Sequence, residues 1–207
     1  MLGNHLLGLY EKALDPSDIW ETRLRKARQL GFDYMEMSID ETDERISRLY
    51  WSLEQIETLR QTCYSAGIQF QSMCLSAHRR FPFGSADPTI REKAYDIMQR
   101  AIDFSVAMGI RVIQLAGYDV YYEKSTPESV KRFEEGLAWA VKAAAQKQVM
   151  LAMEIMDTRF LNSITKNNSY EKMLHSPWYR VYPDVGNLSA WPENGVDELN
   201  GYKGNYF

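Results

Sequence analysis

The sequence predicts an α/β fold whose parallel strands are ordered as in a (β/α)₈ TIM barrel. Three observations support this prediction. Short apolar segments alternate with longer amphipathic ones, a pattern typical of a parallel sheet with right-handed crossovers. Glycines close several of the amphipathic segments, and polar residues follow the ends of several apolar ones.

Taken in order, the elements form six β-strand and α-helix units. The predicted strands lie near 6–10, 33–38, 69–75, 111–116, 149–155 and 180–185. The predicted helices lie near 17–30, 52–66, 88–108, 127–147 and 168–176. Glycine after a helix favours the left-handed backbone that ends it, which explains Gly31, Gly67 and Gly109.

The starts of four helices carry residues that are typical N-caps. These residues are Ser17, Ser52, Asp87 and Thr126. Pro88 and Pro127 follow two of them at the first helical position, where a missing N–H costs nothing. The acidic stretch 40–45 lacks the glycine and spacing of a calcium loop, so it predicts a solvated helix start.

A barrel is favoured over a doubly wound open sheet. The loop after the first strand has no glycine-rich nucleotide motif. Instead, polar residues are distributed over several strand ends, at Glu11, Glu36, His78, Gln114, Glu154 and Asp184. A complete barrel takes about 250 residues, so we expect an incomplete barrel over 1–191, without strands seven and eight, and an irregular tail over 192–207.

Composition narrows the class of protein. A net charge of −4 without a basic patch argues against nucleic-acid binding. No apolar run reaches the roughly 18 residues of a membrane span, and the N-terminus lacks a signal-peptide pattern. Cys63 and Cys74 show no disulfide or zinc spacing, and Cys74 reads as a buried thiol. We expect a cytoplasmic protein.

Two carboxylates are the strongest candidates for chemistry. Glu154 and Asp184 each lie where an apolar run passes into a polar loop, which is where parallel α/β enzymes place metal ligands. Each has an alternative interpretation. Glu154 could instead form a strand-end salt bridge, because an unpaired buried charge is costly, and Asp184 could cap a turn.

Other polar residues are candidates for substrate contact. Arg79 and Arg80 could bind a phosphate through their planar guanidinium groups, or they could pair with nearby acids. His78 is expected to line the site. Asn187 and Ser189 could bind substrate hydroxyls or phosphate, or form a turn. Tyr10, Glu11 and Lys12 are candidates for the mouth, and the aromatic segment 118–122 could line the pocket or pack against a loop.

Six segments together resemble one family. They are 9–13, Glu36–Arg45, Ser72–Pro82, Val112–Tyr122, Met153–Asp157 and Tyr182–Trp191. They resemble the bacterial L-ribulose-5-phosphate 3-epimerases, also called L-xylulose-5-phosphate 3-epimerases, of L-ascorbate and related pentulose catabolism. The resemblance covers residues 6 to about 191.

The resemblance implies a xylose-isomerase-like TIM barrel that inverts C3 of a ketopentose 5-phosphate with a divalent metal, zinc first and manganese or magnesium as alternatives. It places metal ligands at Glu154 and Asp184 and makes Glu154 an acid/base. The family's histidine on strand seven and glutamate on strand eight have no counterpart here. It also implies a homodimer. An aldose–ketose isomerase acting on a hexulose phosphate, or a non-catalytic barrel fragment, stays as an alternative.

Overall fold

The computed structural model describes residues 4–191 and 198–199. Its strands are β1 Gly8–Tyr10, β2 Tyr34–Ile39, β3 Gln69–Leu75, β4 Val112–Ala116, β5 Met150–Glu154 and β6 Tyr179–Tyr182. Its α-helices are α1 Trp20–Gln29, α2 Asp43–Ser47, α3 Leu53–Ala66, α4 Pro88–Met108, α5 Pro127–Gln146, α6 Ile164–Leu174 and α7 Val185–Ser189.

The six strands form one parallel sheet in chain order from β1 to β6. A doubly wound sheet reverses its strand order at a switch point, whereas a TIM barrel does not. The observed order therefore confirms the barrel arrangement, and the described residues supply six of its strands.

Local sequence signals set most helix boundaries. Ser52 and Gln55 form a reciprocal capping box at the start of α3, and the Asp87 side chain accepts a hydrogen bond from the Thr89 N–H at 2.8 Å. Thr126 caps α5. Gly67, after α3, has a φ of 70°, as a left-handed helix terminus requires.

Two helix predictions were wrong in position. Helix α1 begins at Trp20 after Ile19, because Ser17 is held in a turn by Asp15, whose carboxylate accepts from the Ser17 N–H and hydroxyl. Helix α6 begins at Ile164, four residues before the predicted start at 168, since the Ser163 hydroxyl caps it. Within the acidic stretch 40–45, Thr42 caps the short helix α2, as expected.

The core lies between the sheet and the helices. Along β2, Met35, Met37 and Ile39 are fully buried. Because side chains alternate along a strand, Glu36 and Ser38 face the opposite, inner side of the sheet. This alternation brings polar residues together inside the barrel. In the described part of the chain, every helix is too short or too polar to cross a bilayer.

The predicted division into a barrel over 1–191 and an irregular tail over 192–207 stays a prediction. Residues 192–197 and 200–207 lie outside the described residues. Glu198 accepts hydrogen bonds from the Thr165 N–H and hydroxyl, both at 2.8 Å, at the first turn of α6.

Candidate active site

A cleft of about 400 Å³ lies at the carboxyl ends of the strands. We call it the strand-end cleft, and its lining residues are Tyr10, Lys12, Glu36, Cys74, Ser76, Arg79, Gln114, Glu154, Tyr182 and Asp184. The strand register explains the set, since Cys74 lies opposite Gln114 and Glu154 opposite Tyr182. A larger groove of about 620 Å³ lies between α5 and α6, but no strand-end residue reaches it.

Glu154 and Asp184 meet in this cleft. Glu154 is the last residue of β5, and Asp184 follows β6 and caps α7 by accepting from the Asn187 N–H at 2.8 Å. Burial, followed by the charge of Asp184 and a hydrogen bond between the two carboxyl groups, raises the pKa of Glu154 to about 8. Two adjacent carboxylates that repel one another suit a hard divalent cation.

The two carboxylates alone could supply only part of the ligand set of a metal ion. In residues 4–191 and 198–199, no cluster of three or more His, Cys, Asp or Glu side chains could hold an ion. The donor chemistry therefore fits a metal that takes further ligands from water or from substrate oxygens. The cap of α7 and the metal-ligand role are compatible, because a carboxylate has lone pairs for both.

Glu36, Cys74 and Tyr182 form another part of the cleft wall. Glu36 accepts a hydrogen bond from the Ser72 hydroxyl at 2.7 Å, and burial raises its pKa. Burial and the charges of Glu36 and Glu154 raise the pKa of the Cys74 thiol to about 12, so it is not a thiolate nucleophile near neutral pH. Burial likewise raises the pKa of Tyr182.

The two cations of the cleft differ in their partners. Lys12 forms an ion pair with Asp40 at 2.5 Å. Arg79 contacts aromatic rings instead, with its Cζ 5.3 Å from the Tyr121 ring centroid and 5.8 Å from that of Tyr118. Its Nε is buried without a hydrogen-bond partner among the described residues. Arg79 is therefore the cation of this cleft that lacks a carboxylate partner in the described chain.

Three other residues that were predicted to contact the substrate make contacts within the protein instead. The His78 ring packs on Phe83 at 4.8 Å and its Nε2 lies 3.3 Å from the Ala94 carbonyl oxygen. Asn187 donates from its side chain to the Ile155 carbonyl at 2.9 Å, and Ser189 donates to the Gly186 carbonyl at 2.7 Å. None of the three lines the strand-end cleft as described.

Glu11, expected at the mouth, is buried away from the cleft. It is 1% exposed, and both of its carboxylate oxygens accept from Arg48 at 2.9 Å. Arg45 also contacts this carboxylate, and Arg23 lies 4.0 Å from it. Arg80 pairs with Asp43 at 2.7 Å, so the ion-pair interpretation holds for Arg80 and not for Arg79.

From the sequence, Gln114 was placed at a strand end without being assigned to a site, Tyr182 was not selected, and Cys74 was treated as a plain buried thiol. A usable signal was present, because each lies at an inward-facing position of its strand, two residues or fewer from the strand end. Strand periodicity extended to the last residue of each strand finds them.

The sequential parallel sheet and the carboxylates at its carboxyl ends define a TIM-barrel protein with a strand-end site. The family model described as "Xylose isomerase-like TIM barrel" matches residues 24–205. The chain belongs to this family, and within it to the L-ribulose-5-phosphate 3-epimerases. That membership makes it a protein of the epimerase and isomerase class.

Two curated relatives support the assignment to the L-ribulose-5-phosphate 3-epimerases. SgbU of Escherichia coli K12, provisionally named an L-ribulose-5-phosphate 3-epimerase, is 58% identical over 95% of this chain and 68% of its own length. The L-ribulose-5-phosphate 3-epimerase UlaE of Escherichia coli SE11 is 53% identical over 93% of this chain and 68% of its own length. The chain thus spans about two thirds of these relatives.

Solved structures show the same fold at low identity. A D-psicose 3-epimerase crystallised with D-fructose has a TM-score of 0.80 and 17% identity, covering 95% of this chain and 69% of its own. The D-psicose 3-epimerase of Clostridium cellulolyticum H10 with D-tagatose has a TM-score of 0.79 and 18% identity, covering 98% and 72%. These likenesses confirm the TIM-barrel fold.

Proposed function

We propose that this chain catalyses inversion at C3 between L-ribulose 5-phosphate and L-xylulose 5-phosphate, with Glu154 as an acid/base. The observation that carries the proposal is the pairing of Glu154 with Asp184 inside the strand-end cleft. The names of the relatives at 53–58% identity supply the reaction and substrate. The same resemblance suggests pentulose and L-ascorbate catabolism in the cytoplasm, and a homodimer.

Inversion next to a carbonyl requires removal of the C3 proton from one face and its return on the other. The Glu154 carboxylate takes or returns the proton on one face. Burial favours this role, because it brings the pKa of Glu154 to about 8, near the pH at which proton transfer in both directions is efficient. The opposite face needs a second acid/base or a water molecule.

Glu154 and Asp184 would hold a divalent cation, zinc first with manganese or magnesium as alternatives, and it would act as a Lewis acid for negative charge on the sugar oxygens. Asp184 anchors this pair, since its hydrogen bond from Asn187 holds the carboxylate at the start of α7. Asn187 in turn is fixed by its donation to Ile155, the residue after Glu154.

Arg79 would bind the phosphate. A guanidinium can donate two parallel hydrogen bonds to phosphate oxygens, and Arg79 is free of a carboxylate partner in the described chain, unlike Lys12. His78, Asn187 and Ser189 would support the site indirectly, because their polar atoms already bond to the backbone of neighbouring elements.

Deuterium incorporation tests the proposal. The purified chain is incubated with L-ribulose 5-phosphate in D₂O with added zinc, manganese or magnesium, and the sugar is analysed by NMR. Deuterium at C3 with L-xylulose 5-phosphate as product supports the epimerase. An aldose product supports the aldose–ketose isomerase instead. Neither product, with each metal present, supports a non-catalytic barrel fragment and overturns the proposal. Light scattering measures the molar mass in solution and so tests whether the chain forms a homodimer.

A further inference from the structure

The loop that follows β4, residues 117–125, lies beside the cation proposed to bind phosphate. Two of its tyrosines face Arg79: Tyr118, which is 8% exposed, and Tyr121, which is 43% exposed. Their rings pack edge to face with centroids 4.8 Å apart. A cation over aromatic faces is attracted to the ring quadrupole and loses little charge. The pair therefore holds Arg79 without neutralising it.

The inner side of this loop is fastened at the start of α5. The Asp119 carboxylate is 1% exposed and accepts hydrogen bonds from the hydroxyls of Ser125 at 2.7 Å and Ser129 at 2.6 Å. Ser129 lies in the first turn of α5, where the helix dipole favours a negative charge. Asp119 sits between the two tyrosines in sequence, so this anchor limits how far their backbone can move.

The Asp119 backbone also joins the loop to the segment after β3. Its carbonyl accepts from the Gly84 N–H at 3.1 Å. A Cβ at Gly84 would lie 2.3 Å from that carbonyl oxygen, so glycine is required for this close approach. Arg79 and Gly84 belong to the same segment after β3. This hydrogen bond therefore fixes the segment that carries Arg79 relative to the loop that carries Tyr118 and Tyr121.

The outer side of the loop reaches the segment after β2. The Tyr122 hydroxyl lies 3.0 Å from both oxygens of Glu41, although its side chain is 68% exposed. The Tyr122 ring packs edge to face on Tyr121 at 4.7 Å. Tyr121 is therefore supported on both flanks, by Tyr118 inside and Tyr122 outside.

We propose that Tyr121, supported by Tyr118 and anchored through Asp119, is a specificity-determining residue that orients Arg79 toward the phosphate of the sugar. The inference rests on the proposed function and deepens it, because it assigns the selection of phosphorylated over free ketopentoses to this aromatic and cationic cluster. Tyr121 and Asp119 are positioning residues. They act through Arg79.

Kinetics on two substrates test the inference. Tyr121→Leu should raise KM for L-ribulose 5-phosphate roughly tenfold, with kcat within about twofold and KM for unphosphorylated L-ribulose unchanged. Tyr121→Phe keeps the aromatic face, so its KM for L-ribulose 5-phosphate should equal that of the wild type. Tyr64→Leu, at a tyrosine 78% exposed on α3, is the matched remote control. Equal loss on both substrates, or loss in kcat alone, would overturn the inference.

Titration with inorganic phosphate, followed by calorimetry, separates this inference from the proposed reaction. Phosphate should bind the wild-type chain, and Tyr121→Leu and Asp119→Ala should each weaken binding roughly tenfold. Binding with these losses but without turnover would uphold the inference and reject the epimerase proposal. If the wild-type chain fails to bind phosphate, or if a correctly folded Tyr121→Leu variant binds it equally well, the inference is wrong. Circular dichroism establishes folding.

Discussion

The carboxyl groups of Glu154 and Asp184 line one cleft at the carboxyl ends of two adjacent strands, where the charge of Asp184 helps to raise the pKa of Glu154. They lie thirty positions apart in the chain, with the whole of α6 between them. Parallel pairing of β5 with β6 brings them together, because carboxyl ends of parallel strands lie at one edge. Burial and mutual repulsion make the pair costly unless a proton or a cation is shared.

A divalent cation should stabilise the wild-type chain and not Asp184→Asn. Asparagine is as good an N-cap as aspartate, so the hydrogen bond that the Asn187 N–H donates to the side chain of residue 184 is kept while the charge is lost. At a cation concentration of about 100 times Kd, stability should rise by about 2.7 kcal/mol, which thermal melting with zinc, manganese or magnesium measures. Asp103→Asn, an exposed carboxylate on α4, is the control; an equal rise in Asp184→Asn would contradict the ligand role.

Glu154→Gln should reduce C3 exchange by ~10²- to 10⁴-fold, the usual contribution of one acid/base group. The amide keeps the shape of the side chain but cannot take up the C3 proton. Deuterium incorporation at C3 is the measurement, with circular dichroism to show that the variant folds. Exchange at the wild-type rate would remove Glu154 from the mechanism.

Glu11→Gln should destabilise the fold strongly. The change would leave Arg48 and Arg45 buried without their carboxylate, and breaking a buried ion pair on one side costs about 3–5 kcal/mol. Urea denaturation gives the free energy of unfolding. The control is Glu21→Gln, whose pair with Arg25 on α1 is exposed and contributes less than about 0.5 kcal/mol. Similar losses in both variants would show that the cluster is not structurally important.

Stability should fall as the pH drops from about 6.5 to about 4 through His78. Burial of its ring against Phe83 lowers the pKa of His78 to about 4. The unfolded chain takes up a proton on this histidine near the ordinary pKa of 6.5. Above that pH the neutral folded ring costs nothing, and below it protonation of the unfolded chain lowers the free energy of unfolding. The loss is up to about 3 kcal/mol.

Denaturation of wild type and His78→Gln at pH 7 and pH 4.5 measures that contribution. The variant lacks the titrating ring, so its free energy of unfolding should change less between the two pH values. The Ala94 carbonyl can only accept, so Nε2 of the folded ring carries a proton. An identical pH dependence in both chains would assign the loss to other groups.

Much of the fold was predictable because it depends on neighbours in sequence. The caps at Ser52, Asp87 and Thr126 and the terminator at Gly67 act through hydrogen bonds and backbone angles within one helical turn. The predicted N-cap at Ser17 was wrong because serine also forms turns. The Ser17 N–H donates to the carboxylate of Asp15, two residues earlier, and this bond forms a turn.

The sequence alone determined the alternation of strands and helices, the barrel arrangement and the position of Glu154 and Asp184 at strand ends, because apolar periodicity and capping are local properties. Only the tertiary structure decided which charges are paired. Glu11 meets Arg48 from 37 residues away, Lys12 meets Asp40, and Arg79 meets tyrosines. Burial and ion pairing depend on which distant segments pack together, and no local pattern of residues encodes that.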